Sequence, residues 1–525
     1  MNDLNIGSFT EDGPWEIDPQ KIGWKLISEE LNAAAQNEID TVLEPNKIPP
    51  LFRTCEIIFG LTKSIGKWYL VSRRKDKSHS YRIISRNLKN TFQRFGPTYV
   101  KLGQIISSGE GIFPDELVTE FIKLRDQVPA EPFQVVRNTI ESDLNRPLEA
   151  VFKSFNYTPI AAASIAQVYD ATLTTGEEVV VKVQRSNIAT KVRQDLEVMK
   201  WIAPFLVGRI PITALANPPA LVEIFANTII QELDFRIEAN NMLDIANVLA
   251  ETKQRKIVVP RPHPTLVTKR VLVMEKLTGF KWDDVEGMQE AGINTEEVLR
   301  AGMISFFEGA MFYGVFHGDL HGGNLFVDTK GRVALLDFGI VGRLNQVKRL
   351  AFMRLLVGAL SNQLDEQIEA LKELEALPKD VDTNKLIKEL KLDQPVVDPT
   401  TLGAEEIIKE IQQLTKSLLG MGAKLPKELM LFAKNMLFLD SAIGKLAPNL
   451  DILNEIINIS TYFATEHGER IAKEVGFEIS EKDIDIEGIK ASFGLTSDVE
   501  SITYKEITER RNKIRQTFES TKKKS

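Results

Sequence analysis

Cysteine is nearly absent: Cys55 is the only one in 525 residues, so no internal disulfide can form, which fits a reducing compartment. No apolar run reaches the roughly 18 residues that a membrane-spanning helix needs. The longest, near 301–316 and 350–360, are interrupted by Glu308 and Arg354 and read as buried helices. The net charge is -8, which gives no general bias toward nucleic acid, and no nucleic-acid partner is expected. Met1-Asn2-Asp3-Leu4 lacks the basic and then apolar start of a signal peptide. A cytoplasmic protein with at most peripheral membrane contact is expected. Otherwise the composition is that of an ordinary globular chain, 43% hydrophobic and 26% charged, long enough for a large two-lobed domain with extensions.

Charge is unevenly spread. Residues 1–50 hold ten acidic and three basic side chains and are punctuated by proline, so a loosely attached arm is expected. Between Lys63 and Lys101 stand eleven Lys or Arg and a single acid, Asp76. Ile57, Ile58, Phe59, Leu61, Trp68, Tyr69 and Leu70 are interleaved with Lys63, Lys67, Arg73, Arg74 and Lys75. That mixture suits either a solvated helix face or an interfacial helix on an anionic membrane surface.

Pattern places the elements. Residues 85–128 read as helical, with Pro97 opening one helix and Gly109 to Pro114 ending it. From Pro159 the pattern turns to short strands. Ala166–Leu173 and Glu178–Gln184 flank Thr174-Thr175-Gly176-Glu177 as a hairpin. Residues 187–250 have helical period, and Val267 to Leu277 is a strand or strand pair. Thr295 to Gly314 is a long apolar helix, a second hairpin turns at Asp328-Thr329-Lys330-Gly331, and the chain after Leu344 is helical. No internal repeat or low-complexity tract is present.

Within this frame one block carries chemistry. His317-Gly318-Asp319-Leu320-His321-Gly322-Gly323-Asn324 is followed thirteen residues later by Asp337-Phe338-Gly339. Phosphoryl transfer needs a carboxylate at the attacking hydroxyl, here Asp319. It also needs an amide and a second carboxylate on magnesium, here Asn324 and Asp337. Lys182, in Val179-Val180-Val181-Lys182, either snorkels to the surface or points at an anion. With the downstream block present, it suits the α- and β-phosphates of ATP. Ala161-Ala162-Ala163-Ser164 stands where a glycine-rich phosphate loop would. Small side chains let amides approach phosphate, and alanine stiffens the loop relative to glycine. Glu275 and Leu277, after the strand Val271-Leu272-Val273, can pair their backbone with adenine. His317 and His321 are four apart, but they lie in a Gly-rich turn without the Glu of a metalloprotease helix. Zinc is therefore disfavoured, and His317 reads as a brace for the loop. Lys101, Gln104 and Ser108 share one helix face by spacing.

From about Asn90 to Pro448 these residues resemble the atypical kinase family that includes UbiB, AarF and the ADCK proteins. The family's KxGQ motif is Lys101-Leu102-Gly103-Gln104, its Ala-rich loop is Ala161–Ser164, and its ExD motif is Glu232-Leu233-Asp234. The resemblance implies an α+β, protein-kinase-like two-lobed fold: a small β-rich N-lobe, a larger α-helical C-lobe and a family-specific N-terminal helical extension. The implied segments are 1–84, an acidic arm and basic amphipathic stretch; 85–158, the KxGQ extension; 159–280, the N-lobe with a helical insertion; 281–450, the C-lobe; and 451–525, a helical tail. It implies that Lys101 and Gln104 gate the nucleotide cleft, facing Glu232 and Asp234. It implies an acidic partner for Lys182, with Glu238 favoured over Glu232.

ATP and magnesium are the implied cofactors. The implied activity is an ATPase or kinase acting on a small, lipid-associated substrate linked to prenyl-quinone metabolism. A nucleotide-gated scaffold and an ordinary protein kinase are the alternatives. Two features disfavour the latter. Gly318 stands where the Arg that meets a phosphorylated activation loop would be, and no Ala-Pro-Glu follows Asp337-Phe338-Gly339.

Overall fold

The structure, a computed structural model, describes residues 15, 18, 20–44, 48–71, 77–107, 115–124, 129–206, 218–252, 256–361, 363–390, 418, 421–423, 426–476, 485–492, 495–496 and 498–522. Ser108, the turn 109–114 and the basic triplet Arg73, Arg74 and Lys75 lie outside them. The architecture mixes helices with largely antiparallel sheets, consistent with a kinase-like fold. The chain divides into two compact units. The first comprises Met1–Asn247, Val259–Leu277 and Leu336–Ile340; the second comprises Val248–Val258, Thr278–Leu335 and Val341–Ser525. Among the described residues no helix is long and apolar enough to cross a membrane.

The first unit is built on one antiparallel sheet, with strands ordered Phe152–Phe155, Ala166–Leu173, Glu178–Gln184, Val271–Glu275 and Pro262–Val267. The expected hairpin forms, and Gly176 takes the left-handed φ of 112° at its turn. Alternation along Glu178–Gln184 decides the layering. Val179, Val181 and Val183 are fully buried beside Tyr169, Leu173, Val271 and Val273, and the helix Phe133–Leu144 adds Val136 and Ile140. Lys182 and Gln184 therefore point to the opposite face. Helices Ile188–Leu206, Pro218–Gln231 and Phe235–Glu251 fill the stretch between Lys182 and the strands that follow.

The expectation of a loose arm over 1–50 is corrected for residues 20–44. They form helices Gly23–Leu26 and Ser28–Val42, with Ile22, Trp24, Ile39 and Val42 buried. Lys25 pairs with Asp244 at 3.1 Å, and Glu38 with Arg193 at 2.7 Å. Ala35, Ile39 and Val42 make a helical stripe that the acidic surplus hides from a reading of composition.

In the second unit the hairpin Leu325–Val327/Val333–Leu335 turns at 328–331, as expected. The Asp328 carboxylate accepts from the N–H groups of Lys330 and Arg332 at 2.9 and 2.8 Å. The helix Thr295–Glu308 starts on the side chain of Asn294 and runs into a π-type turn, Gly309–Tyr313. Gly314 closes that turn with φ 64°, where a Cβ would stand 2.5 Å from the Leu344 carbonyl oxygen. The chain then enters Val315–His317, which pairs antiparallel with Val341–Arg343 and delivers His317 to the loop behind it. Helices Gln346–Leu360, Lys427–Leu446 and Ile452–Val475 complete the scaffold.

Candidate active site

In the first unit, Lys182 leaves the sheet among valines and reaches Glu238 at 2.7 Å and Asp337 at 3.2 Å. Glu238 sits in the first turn of Phe235–Glu251, so of the two expected partners it is Glu238 that meets the lysine. Glu232, just before that helix, pairs instead with Lys101 at 2.8 Å. Lys101 comes from the helix Pro97–Ser107, opened by Pro97, on which Gln104 is half-buried. Asp234 does not join them. Its carboxylate accepts from the Arg236 N–H at 3.1 Å and binds the Arg236 guanidinium at 2.6 Å, a short side chain captured two residues on.

Among the described residues Asp337 is one of four non-glycine residues in the left-handed region, at φ 57°, a placement enriched in Asp and seen at functional sites. The turn aims its carboxylate at Lys182. Gly339 follows where a Cβ would lie 3.2 Å from Glu232 Cγ, and Asn241 donates to the Phe338 carbonyl at 2.9 Å.

Three carboxylates thus share two ammonium groups, one carboxylate in excess. Burial pushes Glu238 up to about 7, with Lys182 opposing and Asp337 adding to the rise. Burial also raises Glu232, against the pull of Lys101. Burial works to lower Lys182, but Asp337 and Glu238 outweigh it and hold the lysine charged. Burial works to raise Asp337, and Lys182 with Lys101 overcomes it, keeping this carboxyl well below the usual carboxylate range. A buried cluster with surplus negative charge and an ionised, half-exposed aspartate fits a hard divalent cation with phosphate.

The phosphate-loop candidates lie beside the hairpin. Ala161 and Ala162 pair with Val168 and Gln167, the Ala163 N–H reaches the Ala166 carbonyl at 2.9 Å, and Ser164 is buried. Glu275 ends its strand facing Arg261, accepting its N–H through the carboxylate at 3.1 Å and donating its own to the Arg261 carbonyl at 2.8 Å. Leu277 is half-buried two residues on.

In the second unit, Asp319 is held by a loop of backbone contacts. The Asp319 N–H donates to His317 Nδ1 at 3.2 Å, and Asn324 Nδ2 donates to the Asp319 carbonyl at 3.1 Å. His321 Nδ1 likewise accepts from the Gly323 N–H at 3.1 Å. Two residues that sequence reasoning missed come from the helix Lys427–Leu446. Lys434 pairs with the Asp319 carboxylate, and Asn435, fully buried, accepts from the Leu320 N–H at 3.0 Å and donates to the His317 carbonyl. A faint signal existed: Asn435 interrupts the otherwise apolar positions Leu431, Leu439, Ala442 and Leu446 of that helix.

A model of the ABC1 atypical kinase-like domain matches residues 123–371. An uncharacterized protein of Mycobacterium tuberculosis is 36% identical over 386 residues, covering 73% of this chain and 78% of that one. An uncharacterized chloroplastic aarF domain-containing protein kinase of Arabidopsis thaliana is 32% identical, covering 70% and 73%. The chain belongs to the ABC1 atypical kinase-like family. A probable protein kinase UbiB of Shewanella baltica is 31% identical, covering 61% of this chain and 56% of its own. The stretch matched by the ABC1 model holds Lys182, Glu232, Glu238, Asp319, Asn324 and Asp337. It leaves out Lys101 and Gln104 on one side and Lys434 and Asn435 on the other.

Proposed function

We propose that the chain is a magnesium-dependent, ATP-using phosphotransferase or ATPase. The observation that carries this is Lys182 held between Glu238 and Asp337 at 2.7 and 3.2 Å, the lysine a kinase sets on phosphates and the aspartate it sets on metal. In this reading Lys182 binds the α- and β-phosphates, and the amides of Ala161–Ser164 approach the phosphate chain. The backbone of Glu275 and Leu277 receives adenine. Asn324 and Asp337 hold the magnesium, which neutralises phosphate charge when bound. Asp319 accepts the proton of the attacking hydroxyl or water. Lys101, tied to Glu232 with Gln104 on the same helix, gates the site.

The acceptor in this reading is a small lipid-associated molecule of prenyl-quinone type, reached from an anionic membrane surface. Support comes from the helix Leu51–Val71, whose outer side leaves Phe52 87% and Phe59 69% exposed ahead of Lys63. The decisive experiment is nucleotide hydrolysis by the purified protein, with and without anionic liposomes and a quinone-like phenol. Turnover that needs Mg2+, rises with both additions and vanishes in Asp337→Asn supports the reading; turnover equal in parent and variant overturns it. The Lys101–Glu232 pair favours one alternative, a nucleotide-gated scaffold, in which nucleotide binds but is not hydrolysed under any of these conditions.

A further inference from the structure

The Ala-rich loop owes its shape to a residue outside it. Arg185, buried one position past the strand Glu178–Gln184, donates from Nε to the Ala163 carbonyl at 2.9 Å, and its backbone N–H donates to the Ile165 carbonyl at 2.9 Å. A second guanidinium nitrogen reaches the Pro129 carbonyl at 2.9 Å. The next residue, Ser186, donates its N–H and hydroxyl to the Glu131 carboxylate at 3.1 and 2.8 Å, and the Glu131 N–H reaches Gln167 Oε1 at 2.7 Å. The far end of the loop is thereby stitched to residues 129–131, which lead into the helix Phe133–Leu144.

The face on which this happens matters. Arg185 continues the alternation of Val179, Val181 and Val183, the face that the helix Phe133–Leu144 covers. Lys182 and Gln184 point the other way, Lys182 to Glu238 and Gln184 to the Leu233 carbonyl at 3.0 Å. In a trans peptide the C=O and the following N–H point in opposite directions. With the Ala163 carbonyl bonded to Arg185, the Ser164 N–H is turned away from that guanidinium.

We propose that Arg185 is a specificity-determining positioning residue. It locks the Ala163–Ser164 peptide so that the Ala-rich loop offers a nucleotide phosphate an N–H donor on the Lys182 face rather than a carbonyl. This rests on the ATP reading above. Released from Arg185, the peptide can flip and set a carbonyl dipole against the phosphate, which penalises phosphorylated ligands and leaves a nucleoside untouched. Burial lowers the guanidinium's affinity for its proton, and Glu131 partly restores it, so the clamp is a charged, directed donor pair rather than a solvated arginine.

The test compares ATP, ADP and adenosine binding to the full chain in Mg2+ for the parent, Arg185→Lys and Arg185→Gln. Both variants should weaken ATP and ADP by about tenfold, the scale of one hydrogen bond to a charged group, with adenosine unchanged. Equal weakening of all three ligands, or no change in any, overturns the proposal. A parallel measurement needs no variant: with serine amides 15N-labelled, the Ser164 resonance of the parent should move with ADP and stay put with adenosine. A Ser164 amide silent to ADP overturns the proposal even if the variants do not fold. Failure of the underlying reading looks different, because the parent then binds none of the three ligands.

Discussion

Around Lys182, five ionisable side chains gather, Asp337 half-exposed and the others largely buried, with more carboxylates than cations. Around Asp319, one carboxylate meets one lysine, and the side chains of His317, Asn324 and Asn435 hydrogen-bond to the loop's backbone. The first region is a problem of charge balance: each member is expensive to bury alone, and removing one strands another. The second is a problem of shape: the loop must present Asp319, and Asn435 and His317 satisfy its amides while doing so. The two regions should therefore break in different ways, the first through charge compensation and pH, the second through turnover and loop order.

The largest effect is expected at Asp319, the proposed base. Asp319→Asn should cut turnover by roughly 10²–10⁴, the usual share of a general base, with little change in melting temperature. Turnover near the parent's would place the chemistry elsewhere. Lys182→Met should then separate the regions on stability. It leaves Glu238 buried without its cation, at about 3–5 kcal/mol in denaturant unfolding, and adding Glu238→Gln should return a large part of that. A loss no greater than that of an exposed lysine would mean the cluster is not governed by charge balance.

Asn435→Leu probes the other region. It leaves the Leu320 N–H without its Asn435 acceptor, at about 1–3 kcal/mol, and removes one donor to the His317 carbonyl, and turnover should fall with loop order. Unchanged stability and turnover would remove Asn435 from the site. The smallest effect is a slope. Glu238 is raised from 4.5 to about 7, so the folded state holds this proton more tightly than the unfolded chain. Its contribution is fully present below pH 4.5 and fades as pH rises toward about 7. Glu238→Gln should flatten that decline in a series of melts across the window, and an identical slope in parent and variant would contradict the excess-carboxylate picture.

Legibility followed the kind of constraint. Lys182, Asp319, Asn324 and Asp337 stand out in the sequence because they match, in order, the residue types that phosphoryl transfer requires. Glu238 is favoured there over Glu232 as the partner of Lys182, and the packing agrees, giving Lys182 to Glu238 and Lys101 to Glu232. Asp234 was expected to face Lys101, but its short side chain at a helix start is taken locally by Arg236. Lys434 lies 115 residues from Asp319, and no local pattern encodes a contact of that span. Arg185 was equally silent, because its role depends on which face of a strand end it occupies. The N-terminal helices were misread because a surplus of charge is conspicuous in composition and a three-residue apolar stripe is not.

The stretch matched by the family model, 123–371, is shorter than the stretch its own residues depend on. Lys25 donates to Asn240 and pairs with Asp244, on the helix that carries Glu238, while Asn435 holds the loop that carries Asp319. A chain cut to the matched boundaries would keep Lys182, Asp319 and Asp337. It would lose the strut behind one carboxylate and the clasp behind the other. The matched stretch is thus smaller than the unit that can be transplanted, and a graft of this site would have to carry residues from 20 to 446.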